Sequence, residues 1–351
     1  MTLTQGKING LQALADPRGV FADLAMDQRG SLKKALQAAG LQNVTDHDME
    51  TFKLDVTEVL SPIASGILLD PEYGLPASQH RAASCGLLLA YEKSGYDNTQ
   101  PGRLPDLLPH ESVYRIKQQG ANAVKVLLYY NPDEKEDVND VKHAFTERIG
   151  NECRGADIPF FLEFVGYPLD GEDEKGLEYA KKKPRIVLES IREFSKEQYY
   201  VDVLKVEVPV NMKFVSGTNA FAGEAAYSRE EAIQYFREQA QAAGKPFIYL
   251  SAGVSNEEFT ETLRLAGDSG VRFNGVLCGR AAWKDGVPAY AQKGSDGFRA
   301  WLQTQGAHNL KNVFDTLQAA QPWYEFYGAS SPQGVLADTT VTQQATAMAS
   351  S

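Results

Sequence analysis

Eight short runs of apolar, β-branched and aromatic residues recur along the chain, at 20–26, 64–69, 86–91, 123–130, 158–165, 201–208, 246–250 and 273–277. Most show little polar alternation, so as strands they must be buried on both faces, the condition of a parallel sheet covered by helices. The segments between them supply those helices. Residues 48–60, 112–119, 133–154, 177–194, 228–243 and 255–266 have helical spacing, and several open on a Ser or Asp suited to capping free N–H groups. Strand and helix in alternation specify an α/β fold, and eight units are the number that closes a (β/α)8 TIM barrel. An open doubly wound sheet is the alternative. A dinucleotide-binding sheet of that kind would carry Gly-x-Gly-x-x-Gly after its first strand, and Met26-Asp27-Gln28-Arg29-Gly30 does not. The barrel is therefore the expected fold, as a single domain over residues 1–327 closed by helices at 296–303 and 310–320. Residues 328–351, rich in Ser, Thr, Ala and Gln, have too few large apolar side chains to order themselves and read as a disordered C-terminal tail.

Charge narrows the range of partners. There are 46 acidic against 35 basic residues, a formal net charge of -11, and no basic stripe interleaved with aromatics. Nucleic acid and anionic membranes are thereby excluded as expected partners, and a small molecule remains. Cys85, Cys153 and Cys278 have no paired spacing, no run reaches the roughly 18 apolar residues of a membrane span, and the first residues lack a signal-peptide core. A cytoplasmic protein with reduced thiols is expected. The five histidines lack ligand spacing, so neither a metal nor any other cofactor is expected; a homo-oligomer stays open.

Charged residues inside doubly buried strands carry the chemistry, because an uncompensated ion there costs several kcal/mol. In Val201–Pro209, period-2 alternation puts Val203, Lys205 and Glu207 on one face, which aims Lys205 into the barrel near its C-terminal mouth. An amine with an ordinary pKa of about 10.4 becomes a nucleophile at neutral pH only if desolvated or set beside another cation. Lys125, on the fourth strand, is the candidate for that cation; for both lysines a structural ion pair is the alternative. Glu163 lies among aromatic residues on the fifth strand, where burial is expected to raise its pKa and suit it to proton transfer. Asp27 ends the first strand at the same mouth. Glu207 is read as a partner of Lys205, and Lys181-Lys182-Lys183 as a solvated helix face. Ser251-Ala252-Gly253 and Cys278-Gly279-Arg280 end the last two strands, where barrels commonly hold phosphate through backbone N–H groups.

Several segments together carry a family resemblance: Ala25–Gly30, Leu68–Ala77, Gly86–Lys93, Val201–Pro209, Tyr249–Ser255 and Phe273–Arg280. Spread over nearly the whole chain before the tail, they make it similar to the tagatose 1,6-bisphosphate aldolases, class I enzymes of bacterial lactose and galactose catabolism. The resemblance implies that Lys205 forms a Schiff base with a phosphorylated ketose and that Glu163 is the acid and base. It also implies that Asp27 and Lys125 complete the catalytic group, that Ser251, Gly253, Gly279 and Arg280 hold the phosphate nearest the ketone, and that Gln28 and Arg29 touch substrate. Relaxed selectivity at C4, admitting fructose 1,6-bisphosphate, is part of the same expectation. Residues 166–176 and the tail depart from the family pattern. A related aldolase acting on another ketose phosphate, such as a sulfonated one, and a non-catalytic sugar-phosphate sensor are the alternatives.

Overall fold

A computed structural model of the protein describes residues 3–93, 102–169 and 171–335. Eight parallel strands close in sequence order into a barrel. They are β1 (Phe21–Met26), β2 (Gly66–Leu69), β3 (Gly86–Ala90), β4 (Ala123–Tyr129), β5 (Phe160–Val165), β6 (Val203–Val206), β7 (Phe247–Tyr249) and β8 (Gly275–Cys278). The eight apolar runs are thus the eight strands. Nearly every strand residue is buried, as a sheet with helices outside and packed side chains inside requires.

The helices are α1 (Gln5–Leu14), α2 (Gly30–Ala38), α3 (Asp46–Leu60), α4 (Leu75–Ser78), α5 (Val113–Gln118), α6 (Glu136–Gly155), α7 (Leu177–Phe194), α8 (Arg229–Ala242), α9 (Asn256–Asp268), α10 (Arg280–Trp283), α11 (Val287–Trp301) and α12 (Ala307–Asp315). Local sequence fixes several starts. Thr45 caps α3 and Ser228 caps α8 through reciprocal bonds with Asp48 and Glu231, and Ser112 and Ser255 accept from the third residues of α5 and α9. The closing helices differ from expectation. α11 begins at Val287, breaks at Gly294 (φ 66°), and runs through a π turn at Leu302–Gly306 into α12.

Period-2 alternation sorts the strands into two cores. Leu24, Ile67, Leu87, Val124, Leu162, Leu204, Tyr249 and Val276 face the helices. Phe21, Ala25, Leu68, Leu88, Ala123, Phe161, Val203, Ile248 and Leu277 fill the barrel. That inner core continues into Ile8, Leu11 and Leu14 of α1 and into Trp323, which close the N-terminal end. Composition alone starts the tail at 328, yet Val335 is buried against this same core. Residues 336–351 lie outside the described part, so the expected disorder of the tail concerns residues without a structural account here.

Closure of the barrel rests on a residue without a side chain. Gly275 stands opposite Phe21 in the β1/β8 register with φ 136°, and a Cβ there would lie 2.0 Å from the Phe21 carbonyl oxygen. Gly275→Val should destabilise the fold by about 3 kcal/mol or more, measured by urea unfolding followed by circular dichroism. Gly155→Ala, at the end of α6 with open space around it, should be neutral or stabilising by up to about 1 kcal/mol in the same assay.

Candidate active site

Ionisable side chains converge at the C-terminal end of the barrel because the parallel register places them in one layer. Glu163 of β5 stands directly opposite Lys205 of β6, so both side chains leave the sheet on the same face. Glu163 also pairs with Leu127, two residues beyond Lys125 on β4. Asp27 follows the last residue of β1, and Glu92 lies two residues past the end of β3.

The Lys125 ammonium is the node of this layer. Its Nζ lies 2.8 Å from Asp27 Oδ2, 2.8 Å from Glu92 Oε1 and 2.9 Å from Glu163 Oε2. Burial alone would lower the pKa of Lys125, but the three carboxylates hold it well above the ordinary value. Glu163 Oε2 is shared, lying also 2.9 Å from Lys205 Nζ. The expected rise in the Glu163 pKa is corrected here. Burial does push it up, but Lys125 and Lys205 together outweigh burial and hold the carboxyl below its usual value. Asp27 is likewise depressed, with Lys125 as the main charge opposing its desolvation. Glu92 keeps a raised pKa, since burial and Asp27 prevail over Lys125 and Arg29, and its Oε2 is buried without a hydrogen-bond partner. Asp23, two repeats of the pleat deeper on β1, is pushed well up by burial with the Ser65 hydroxyl donating to it at 2.8 Å. The two aspartates are thus shifted in opposite directions, and Asp27 is the one that reaches Lys125.

Neighbouring residues brace this group. Lys53 of α3, fully buried, donates to the Met26 and Gln28 carbonyls at 2.9 and 2.7 Å and pairs with Asp70 at 2.5 Å, which fixes the backbone on both sides of Asp27. Arg29 is buried. Its guanidinium donates to Glu72 Oε2 at 2.7 Å and to the Glu92 carbonyl at 2.8 Å, tying the ends of β1 and β3 together. Gln28 is half-buried beside it. Glu207 does not partner Lys205. The strand ends at Val206, and Glu207 turns to Lys183 of α7 at 3.0 Å and accepts from the Gly166 N–H at 2.8 Å. Lys183 is therefore buried, and only Lys181 and Lys182 of that triplet are solvated.

A second, more open lip lies at the ends of β7 and β8. Ser251 is buried, and Ala252 and Gly253 both have positive φ, 49° and 80°. A Cβ on Gly253 would meet the Arg280 guanidinium carbon at 2.7 Å, so only a glycine lets that side chain lie across the turn. Gly279 likewise packs on the Ala25 carbonyl, which accepts from Trp283 Nε1 at 3.0 Å. Lys284 donates to the Gly253 and Val254 carbonyls at 3.0 and 2.9 Å and joins the two turns. Arg280 itself is exposed, a bidentate cation beside backbone N–H groups and so suited to phosphate. Asp27, Lys125, Glu163 and Lys205 are brought into one hydrogen-bonded cluster, and Ser251, Gly253, Gly279 and Arg280 into this lip. Glu92, Lys53 and Lys284 were not singled out from the sequence; Glu92 follows an apolar run by one residue, a signal equal to that of Asp27.

Chemically, one layer offers an amine and a carboxylate in contact for proton exchange, a fixed ammonium to stabilise a developing oxyanion, and an anion lip across the mouth. Among the described residues no group of three or more His, Cys, Asp or Glu side chains is disposed to hold a metal ion. The three carboxylates nearest that condition enclose Lys125 instead.

Comparison with known proteins adds the following. Residues 21–285 match the family profile described as DeoC/LacD family aldolase. The chain is 53% identical over 326 residues to tagatose 1,6-diphosphate aldolase 2 of Enterococcus faecalis, covering 92% of this chain and 97% of that protein. It is 52% identical to the tagatose 1,6-diphosphate aldolase of Listeria monocytogenes, with 93% and 96% covered, and 50% identical to that of Staphylococcus epidermidis, with 92% and 99% covered. A solved structure of fructose-bisphosphate aldolase from Plasmodium falciparum superposes with a TM-score of 0.62 at 12% identity over 90% of this chain and 97% of that one, which bears on the fold alone.

Removing the node should be costly. Lys125→Met leaves buried carboxylates uncompensated and should destabilise the protein by about 3–5 kcal/mol at pH 7 in urea unfolding. Because Asp27 and Glu163 are depressed in the folded state, their contribution is complete above an unfolded value near pH 4 and is lost as pH falls through the folded values. The deficit of the variant should therefore narrow below about pH 4; a constant deficit would show that the charge cluster is not its source.

Proposed function

Because the chain belongs to the DeoC/LacD family of aldolases, we propose that it is a class I aldolase cleaving tagatose 1,6-bisphosphate to dihydroxyacetone phosphate and glyceraldehyde 3-phosphate through a Schiff base on Lys205. The observation that carries this reading is the Glu163 carboxylate held 2.9 Å from both Lys205 and Lys125. The names of the relatives, tagatose 1,6-diphosphate aldolases, support the substrate.

Lys205 passes one ammonium proton to Glu163 and its amine adds to the C2 carbonyl; Glu163 hands protons from nitrogen to oxygen until the hydroxyl leaves as water, which leaves a protonated imine and an anionic Glu163. The iminium draws electrons from C3. Glu163, held anionic by its two lysines, takes the proton of the C4 hydroxyl; the C3–C4 bond breaks, its electron pair becomes the enamine double bond, and the aldehyde departs. Glu163 then returns the proton to C3, and water hydrolyses the iminium to release dihydroxyacetone phosphate. Lys125 stays cationic throughout, stabilises oxyanions at the reacting carbons and, with Asp27, orients substrate hydroxyls. Gly253, Gly279, Ser251 and Arg280 hold the phosphate next to the ketone, and Gln28 contacts the sugar. Relaxed selectivity at C4, with fructose 1,6-bisphosphate as a second substrate, is part of the same proposal. Three free, buried cysteines support action in the reducing cytoplasm, and among the described residues no helix is long and apolar enough to cross a membrane.

Borohydride reduction in the presence of substrate should fix mass on Lys205, read by intact-mass and peptide spectrometry. Lys205→Ala should lose the adduct and lower cleavage on the order of 10³-fold or more, and Glu163→Gln about 10²–10⁴-fold, both in a coupled triose-phosphate assay, with chelators without effect. Cleavage that survives in Lys205→Ala, or disappears with a chelator, would falsify the scheme. Tagatose and fructose bisphosphates and a sulfonated ketose phosphate, compared in the same assay, measure its selectivity.

A further inference from the structure

The lip at β7 and β8 accounts for one phosphate of a bisphosphate. In a barrel closed in the order β1 to β8, β4 and β5 lie across the mouth from β8, and a ligand anchored beside Arg280 and reaching over Lys205 and Lys125 arrives at their ends. Other buried cations around the barrel are committed to partners, on the β1 side as well as near β4 and β5. Arg29 is bound to Glu72 and the Glu92 carbonyl, Lys53 to Asp70, and Lys142 donates to the Tyr167 hydroxyl at 2.9 Å.

Arg103 differs. Its guanidinium carbon lies 4.9 Å from the ring centre of Tyr129, the last residue of β4, and 4.8 Å from that of Tyr167, just beyond β5. The two rings stand edge to face, centres 6.4 Å apart, and form a clamp. Tyr167 is itself held, accepting from Lys142 and donating to Glu134 at 2.8 Å. Among the described residues the carboxylate paired with Arg103 is Glu174, half-exposed and 3.8 Å away, beyond hydrogen-bond distance. Stacking fixes the plane of a guanidinium without using its N–H fork, so little freedom is lost when an anion arrives. The Arg103 backbone has φ 45°, a conformation that non-glycine residues seldom adopt and that is retained where the surroundings impose it. Tyr129 lies on the same strand face as Lys125; burial raises the pKa of its hydroxyl, on which the charges of Arg103, Glu174, Glu163 and Arg280 also act. The clamp and the reactive layer therefore share one chamber.

We propose that Arg103, clamped between Tyr129 and Tyr167, is the anchor for the phosphate farthest from the ketone and so determines preference for bisphosphates over monophosphates. The inference rests on the aldolase reading above for its substrate, and its test separates the two. Arg103→Met and Arg103→Lys are compared with the parent protein for cleavage of tagatose 1,6-bisphosphate and of tagatose 1-phosphate, and for borohydride trapping of dihydroxyacetone phosphate, which carries only the ketone-side phosphate. Arg103→Met should raise KM for the bisphosphate about 10- to 100-fold, the effect of losing charge-assisted hydrogen bonds. Its kcat/KM for the monophosphate and its trapped adduct should stay within about twofold of the parent, and Arg103→Lys should fall between. Equal losses on both substrates, or no loss on the bisphosphate, overturn the proposal, the former marking Arg103 as a structural residue. Absence of the adduct in the parent protein overturns the Schiff-base reading instead, while the ratio of the two substrates still reports on Arg103.

Discussion

One ammonium surrounded by three carboxylates organises the open end of this barrel. Lys125 gathers Asp27, Glu92 and Glu163 from the ends of β1, β3 and β5 within 2.9 Å, and a buried cluster of this kind exists only while every member is present. Its consequence for chemistry lies in Glu163. Burial among phenylalanines pushes that carboxyl up; the two lysines outweigh burial and hold it below its usual value, which suits the base of the proposed mechanism. The side chains beneath are mainly apolar, and burial pushes the Asp23 carboxyl of that region well above its usual value.

The fold was legible because its signal is redundant. Strands buried on both faces read as unbroken apolar runs, and the eight runs became the eight strands. What escaped was structure whose reason lies elsewhere in the chain. α1 carries two glycines and a faint pattern, and it is a helix here because Gly6 and Gly10 allow it to press on Asp157, Asn122 and Pro159 while Ile8, Leu11 and Leu14 enter the barrel. α2 and the first half of α11 carry weak sequence signals for similar reasons, being short or interrupted at Gly294.

The candidate site was legible where an ionisable residue interrupts an apolar strand, as at Lys125, Glu163 and Lys205. Alternation failed one residue past the strand's end, where Glu207 leaves the inward face for Lys183. The sequence points the Glu163 shift upward, opposite to the folded protein, because it shows the aromatic neighbours and not the lysines brought in by β4 and β6. Arg103 and Lys284 sit in loops without periodicity, and only the folded chain shows what they touch.

Ile8, Leu11 and Leu14 of α1 and Trp323 stopper the foot of the barrel with apolar side chains. The ionisable layer thus stands on a footing that offers it no polar partner from below, and the turns at the opposite rim can be altered in length or composition without disturbing the stopper.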